Sequence, residues 1–185
     1  SEIFWADQSS QDSAKELILN TKNANDSLGA TVLTIIKGAP AGLGEVLYNK
    51  LDAALASAMM GINGVKGVEI GDGINVATML GSQNNDFMDK NGFKSNHCGG
   101  ILGGISNGND IVIKSYFKPT PSIFKAQPTI NLDGNEVICE LRGRHDPCTG
   151  VRGSIVATAM ARLVIADMLL LNASANLNNL KRIYQ

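Results

Sequence analysis

"IVIKSYF", residues 111–117, is built of β-branched and aromatic residues and predicts a strand. The rest of the chain is read from it. "TVLTIIK" at residues 31–37 has the same character, follows Gly29 and ends in the turn-rich "GAPAGLGE". "VKGVEIGDG" at 65–73 predicts a short strand broken by glycines, and residues 136–141 a further one, separated from 111–117 by the turn signal Asn131-Leu132-Asp133-Gly134.

Between these strands the period changes. Ser10 and Asp12 can cap a first helix whose Ala14, Leu17, Ile18 and Thr21 follow the i, i+3, i+4, i+7 spacing. A second helix is predicted over residues 47–60, where Ala53, Ala54, Ala56 and Ala58 would let another element approach closely, and a last one over residues 153–172. Strands in hairpin-like succession with largely apolar helices predict an α+β fold of one domain, residues 1–185, with helices packed on an antiparallel β-sheet. No tandem repeat of short period is visible.

Length and composition bound the function. A chain of 185 residues, 44% hydrophobic and 18% charged, can bury a sizeable core. Its formal charge of -1 gives no global field toward nucleic acid or a membrane surface, so neither is expected as a partner. Cys98, Cys139 and Cys148 form no CxxC pair and are expected as reduced thiols of a cytoplasmic protein. Residues 1–12 lack a basic flank followed by an apolar run, so no signal peptide is expected there. The apolar run 155–171 carries Arg162 and Asp167, which make it a poor membrane span and predict a buried helix.

Three stretches carry chemistry. Residues 81–108 hold seven glycines among polar residues, too little to build a core, so this long loop is expected to be functional or disordered. Within it "GGILGG" (99–104) lacks the GxGxxG spacing of a dinucleotide site; its glycines would let backbone N–H groups approach a flat or anionic ligand, or form a mobile loop with no ligand. "KPTPSI" (118–123) sets an ammonium and two hydroxyls on a segment stiffened by two prolines, which suits a phosphate as well as a plain edge turn. "GRHDPC" (143–148) puts an arginine, a histidine, an aspartate and a cysteine in six positions. Its Asp146 could cap the helix that follows or pair with Arg144, but Arg152 adds a second guanidinium near the helix start, and the whole describes an anion-binding corner holding one carboxylate. His97 has no neighbours of metal-ligand spacing and reads as a hydrogen-bonded loop histidine, and Met59 and Met60 read as core; no metal site is expected.

These motifs, with "GLGE" (42–45), "INGVKGVEIGDG" (62–73) and "SNHCGGILGGISNG" (95–108), occur in the order and spacing of chorismate synthase, and the chain resembles the C-terminal half of that family. The resemblance implies helices sandwiched between antiparallel sheets in a β-α-β arrangement. It implies a cytoplasmic homotetramer that uses reduced FMN to eliminate phosphate from 5-enolpyruvylshikimate 3-phosphate and form chorismate. The family's two catalytic histidines and several substrate arginines have no counterpart in this sequence. Carried over by position, FMN contacts fall on Asn63, Gly64, Gly103, Lys118, Pro119, Thr120, Pro121, Ser122 and Arg144, with Arg144 facing flavin or substrate, and Asp146 matches the aspartate that assists proton transfer at the flavin. His145 is assigned to support. Gly64 stands where the family has alanine, and Pro121 where it has serine. A second reading stays open: a flavin-binding or assembly module that keeps the fold without catalysis.

Overall fold

A computed structural model describes residues 2–184, apart from the side chain of Ile183. Its element order is α1 (Gln11–Asn23), β1 (Ala30–Ile36), α2 (Leu51–Met60), β2 (Val65–Ile70), α3 (Gly81–Asn84), β3 (Met88–Asp89), β4 (Gly92–Phe93), β5 (Ile101–Leu102), β6 (Ile105–Ser106), β7 (Ile111–Phe117), β8 (Gln127–Ile130), β9 (Glu136–Cys139), α4 (Gly150–Ser174) and α5 (Leu177–Tyr184). The expected α+β class holds: an antiparallel sheet of order β1-β7-β2 carries α2 and α4 on one face.

The stretch 111–117 is the middle strand. It pairs with β1 from Ala30↔Phe117 to Ile36↔Ile111, and with β2 from Val65↔Phe117 to Ile70↔Ile113, with a bulge at Val65/Gly67. Strict alternation puts Ile111, Ile113, Ser115 and Phe117 inward. They meet Leu51, Leu55 and Met59, which line one face of α2 at four-residue spacing, and the α4 stripe Gly150, Gly153, Ala157, Ala161 and Met168. The close approach expected from the alanines of α2 belongs to α4. A Cβ on Gly150 would lie 2.3 Å from Cβ of Ala30, and one on Gly153 would lie 2.5 Å from Cζ of Phe117.

Several boundaries move, each for a physical reason. The second helix begins at Leu51 rather than 47, because the Leu51 amide donates to the Gly104 carbonyl and the preceding turn is closed by Glu45 N–H to Asn49 O. Met59 is core, but its neighbour Met60 is 48% exposed, being one helical position off the buried stripe. The last helix starts three residues earlier than predicted, since its glycines serve packing rather than breakage, with Gly153 N–H donating to Thr149 O. Ser10 occupies the first helix's N-cap position but makes no cap bond; its hydroxyl is spent on Asp7 Oδ2. β8 was not anticipated because Pro128 lies in it, which a hairpin with a free edge tolerates. The Asn131 carboxamide oxygen accepts the amides of Asp133 and Asn135, which fixes the predicted turn between β8 and β9.

The expectation of a buried last helix needs correction. By length and composition α4 could cross a membrane. In this fold it is the second layer, with one stripe against the sheet and α2 and the opposite side open, where Ile155, Leu163 and Leu170 are exposed. The predicted residues Arg162 and Asp167 lie on this helix, whose packed stripe is of small side chains, so little of its apolar surface is covered.

The glycine-rich segment 81–108 is built, not loose. Asp86 Oδ1 accepts the Ser95 hydroxyl (2.6 Å) and the His97 amide (2.7 Å), and Oδ2 accepts the Cys98 amide (2.9 Å). Burial opposes a charge there, but these donors outweigh it and hold the Asp86 carboxyl well below the usual carboxylate range. From the other side, Asp72 N–H donates to His97 O, and the His97 ring nitrogen Nδ1 lies 2.6 Å from Asp72 Oδ2. His97 is thus the hydrogen-bonded loop histidine the sequence predicts. Burial, then the neighbouring Asp86, push the Cys98 thiol up and disfavour its thiolate. Gly71 and Gly99 pack backbone to backbone: a Cβ on Gly71 would sit 2.2 Å from His97 O.

Two outcomes follow for stability. Gly153→Val should destabilise the fold by about 1–3 kcal/mol through overpacking against Phe117, read as a lower urea midpoint; an unchanged midpoint would mean that α4 can stand off from the sheet. Asp86→Asn replaces an acceptor with a donor facing an amide and should cost about 2 kcal/mol at neutral pH. Because the folded carboxyl is depressed, its stabilisation is complete above about pH 5 and fades as the pH falls through about 4 toward the folded value. The stability gap between wild type and Asp86→Asn should therefore close on acidification, and a pH-independent gap would remove Asp86 from this role.

Candidate functional site

The site grows from the end of the central strand. Where β7 stops at Phe117, the Lys118 amide donates to the Gly64 carbonyl at 2.8 Å, which ties "KPTPS" to the Asn63-Gly64 turn that follows α2. Gly64 has φ +91, a left-handed value, while a Cβ there would meet only Phe117 at 3.8 Å. Backbone conformation, not space, favours glycine at this position. Lys118 is exposed and carries no ion pair among the described residues.

The proline segment is braced from both sides. Ser27 Oγ donates to Thr120 O at 2.6 Å, Thr120 Oγ1 donates to Asp146 O at 3.1 Å, and Phe124 N–H reaches Asn25 O at 3.2 Å. The Thr120 hydroxyl, expected as a donor to a ligand, is thereby engaged in joining "KPTPS" to "GRHDPC". Lys118 Nζ and Ser122 Oγ remain as side-chain donors of the turn. Pro119 closes over Gly29, where a Cβ would come within 3.4 Å of its ring, and Pro121 O accepts the Ile123 amide.

In the corner itself Asp146 caps nothing. The N-cap position of α4 is Thr149, and the Asp146 carboxylate instead holds Arg152, Oδ2 to Nη1 3.1 Å. The partner is thus Arg152 and not the adjacent Arg144, which is exposed and forms no ion pair among the described residues. The His145 ring lies 5.4 Å from the Phe124 ring, tilted by 53°, a packing position. Arg152 in the first turn of a long helix and the exposed Arg144 supply positive charge near the helix start, offset by Asp146 and by Asp26, which line one small recess together; the free guanidinium and the helix start suit an anion.

A cavity of about 410 Å³ opens beside this corner, lined by Asn63, Phe117, Thr149, Arg152, Gly153 and Met160 among others. The Thr149 hydroxyl oxygen is buried and has no hydrogen-bond partner among the described residues. A buried donor without a partner, beside a cation and an exposed carboxamide, fits a polar ligand at this edge. Thr149 and the brace residue Ser27 escaped the sequence reading. The signal for Thr149 was there, a threonine directly before a predicted helix, whereas Ser27 acts through a contact 93 positions away that no local pattern reveals.

Gly103 stands apart. It forms the β5–β6 turn with Gly104, at φ +59 and +88, and a Cβ on Gly103 would meet nothing within 4 Å, so its outer side is open to a ligand. Gly104 packs on Glu45 O and Lys50 and receives the amide that starts α2. Asn63 follows the other end of α2, which spans about 15 Å. The structure therefore brings together Asn63, Gly64, Lys118 to Ser122, Arg144 and Asp146, and leaves Gly103 at the far end of the helix.

Comparison with known proteins identifies the family. The family model described as chorismate synthase matches residues 1–170. Chorismate synthase of Campylobacter fetus subsp. fetus is 74% identical over 184 residues, covering 100% of this chain and 52% of the relative, and that of Campylobacter concisus is 66% identical over 174 residues, covering 94% and 49%. A crystal structure of chorismate synthase superposes with a TM-score of 0.73 at 30% identity, over 90% of this chain and 44% of that one. The chain spans about half the length of the curated relatives it matches. With a family model over most of its length and these identities, the chain belongs to the chorismate synthase family.

Proposed function

We propose that the complete enzyme to which this chain corresponds converts 5-enolpyruvylshikimate 3-phosphate to chorismate by anti-1,4-elimination of phosphate, in the shikimate pathway that feeds aromatic amino acid biosynthesis. It acts as a cytoplasmic homotetramer with reduced FMN. The observation that carries this reading is the 410 Å³ cavity lined by Asn63, Thr149 and Arg152, the last of them paired with Asp146, in a chain of this family.

The residues present fit an anionic, flat cofactor. Gly103 offers an open backbone, Lys118 an unpaired ammonium, and the cavity edge a buried hydroxyl in search of a partner. Reduced FMN, when bound, supplies an electron-rich centre that allows the elimination without net redox change. Everything else is done by side chains. Lys118 neutralises a phosphate as a point charge, with Ser122 Oγ as a neutral donor and the two prolines lowering the entropy lost on binding. Arg144, a planar guanidinium with forked donors, serves in binding. Asp146, with its side chain 29% exposed, takes and holds a proton at its carboxylate. The three cysteines are free in the structure, as a reducing compartment would keep them.

In the complete enzyme Lys118→Ala should weaken FMN binding by about tenfold or more, the worth of one charge-assisted phosphate contact. Flavin fluorescence titration measures it, and an unchanged dissociation constant would move the phosphate elsewhere. Asp146→Asn keeps the shape and loses the basicity, so turnover under anaerobic conditions with reduced FMN should fall by roughly a hundredfold, with flavin and substrate binding little changed. Normal turnover with a lowered melting temperature would make the aspartate a structural group and sink the assignment.

A further inference from the structure

The carboxylate that the proposed reaction uses is not held by its own motif. The backbone at residues 146–147 is pinned, with Asp146 O accepting the Thr120 hydroxyl and Pro147 O accepting the Leu28 amide at 2.7 Å. Neither bond sets the side chain. The side-chain partner given by the structure is Arg152, in the first turn of α4, whose Nη1 lies 3.1 Å from Asp146 Oδ2. With Oδ2 engaged, Oδ1 is the oxygen left to hold a proton. The same guanidinium lines the cavity together with Asn63 and Thr149, so it touches both the carboxylate and the space a ligand would enter.

We propose that Arg152 is a positioning residue for Asp146: its guanidinium engages Oδ2 and keeps Oδ1 as the free proton-holding atom. This rests on the reading of Asp146 given above. Stability is a poor explanation for the pair, since the Arg152 side chain is 63% exposed and exposed ion pairs contribute little to folding. Removing it should leave the fold intact. Its anchorage on a helix of twenty-five residues packed on the sheet is what makes it a reliable reference point, because the arginine's own backbone cannot drift.

The test compares Arg152→Gln, Arg152→Lys, Asp146→Asn and the double variant Arg152→Gln/Asp146→Asn in the complete enzyme, by kcat, substrate KM, FMN dissociation constant and melting temperature. Arg152→Gln should lower kcat by about tenfold with KM and FMN affinity within about twofold of wild type. Arg152→Lys should restore most of the loss, because a single contact to Oδ2 needs a cation rather than a fork. In the Asp146→Asn background the Arg152 change should cost nothing further, the signature of two residues acting as one unit. An unchanged kcat, losses that multiply in the double variant, or an effect confined to KM would each overturn the proposal, the last by making Arg152 a substrate ligand. If Asp146→Asn itself turns over normally, the underlying reading fails; if Asp146→Asn is impaired while Arg152→Gln is normal, only the positioning role falls.

Discussion

Two antiparallel ladders meet on β7, one along its whole length and one bulged and shorter, and that double pairing dictates where the neighbouring segments go. At its first residues the Val112 carbonyl and amide are taken by Gly71 and Gly99, which draws the glycine-rich excursion back to the sheet. At its last residue the chain turns into Lys118 against Gly64. A strand of seven residues is about 20 Å long. The separation of Gly103 from the Lys118 corner is therefore set by the sheet, since one belongs to the knot at the beginning of the strand and the other to its end.

The helical layer depends on the same strand. Phe117 fills the space that Gly153 leaves, so the N-terminus of α4 is pressed down beside the end of β7. That contact delivers Thr149 and Arg152 to the corner where "KPTPS" and "GRHDPC" meet. A larger residue at 153 would lift the helix start and with it the only ion-pair partner of Asp146 among the described residues. The packing that stabilises the domain and the geometry of the candidate site are thus one constraint. On its other sides the layer stays apolar and uncovered, with Leu33 and Ile35 exposed on the sheet and Ile155, Leu163 and Leu170 on α4. Surfaces of this kind accord with a chain that spans about half the length of its relatives.

What the sequence made legible follows from the range of the interactions involved. β1 and β7 were readable because β-branched runs state their own conformation, and the helices because their apolar spacing does. Arg144, Asp146 and Arg152 were readable as an anion corner because they lie within ten positions. Asp86 and Asp72 were not, for Asp86 grips the amides of His97 and Cys98 and Asp72 the ring of His97, all more than ten residues away in a polar stretch with no periodicity. The choice of Arg152 over Arg144 as the partner of Asp146 also lay beyond pattern: Arg144 is closer in sequence, but the first turn of α4 swings Arg152 back over the carboxylate. The engagement of the Thr120 hydroxyl with a backbone carbonyl 26 positions away was equally beyond local pattern.

The position of Pro121 sharpens the chemistry of the phosphate turn. Proline there carries neither a hydroxyl nor an amide N–H, and Pro119 lacks an amide N–H as well. The Ile123 amide is spent on Pro121 O, and the Thr120 hydroxyl on Asp146 O. A turn that has given up this many neutral donors cannot hold an anion by a cradle of N–H groups. Its remaining strength lies in charge, in Lys118 Nζ backed by Arg144 and the positive end of α4. Binding at such a turn must weaken with added salt more steeply than binding in an amide nest, because exposed cations are screened while buried dipoles are not. The two prolines offset part of that cost by keeping the segment in one conformation before the ligand arrives.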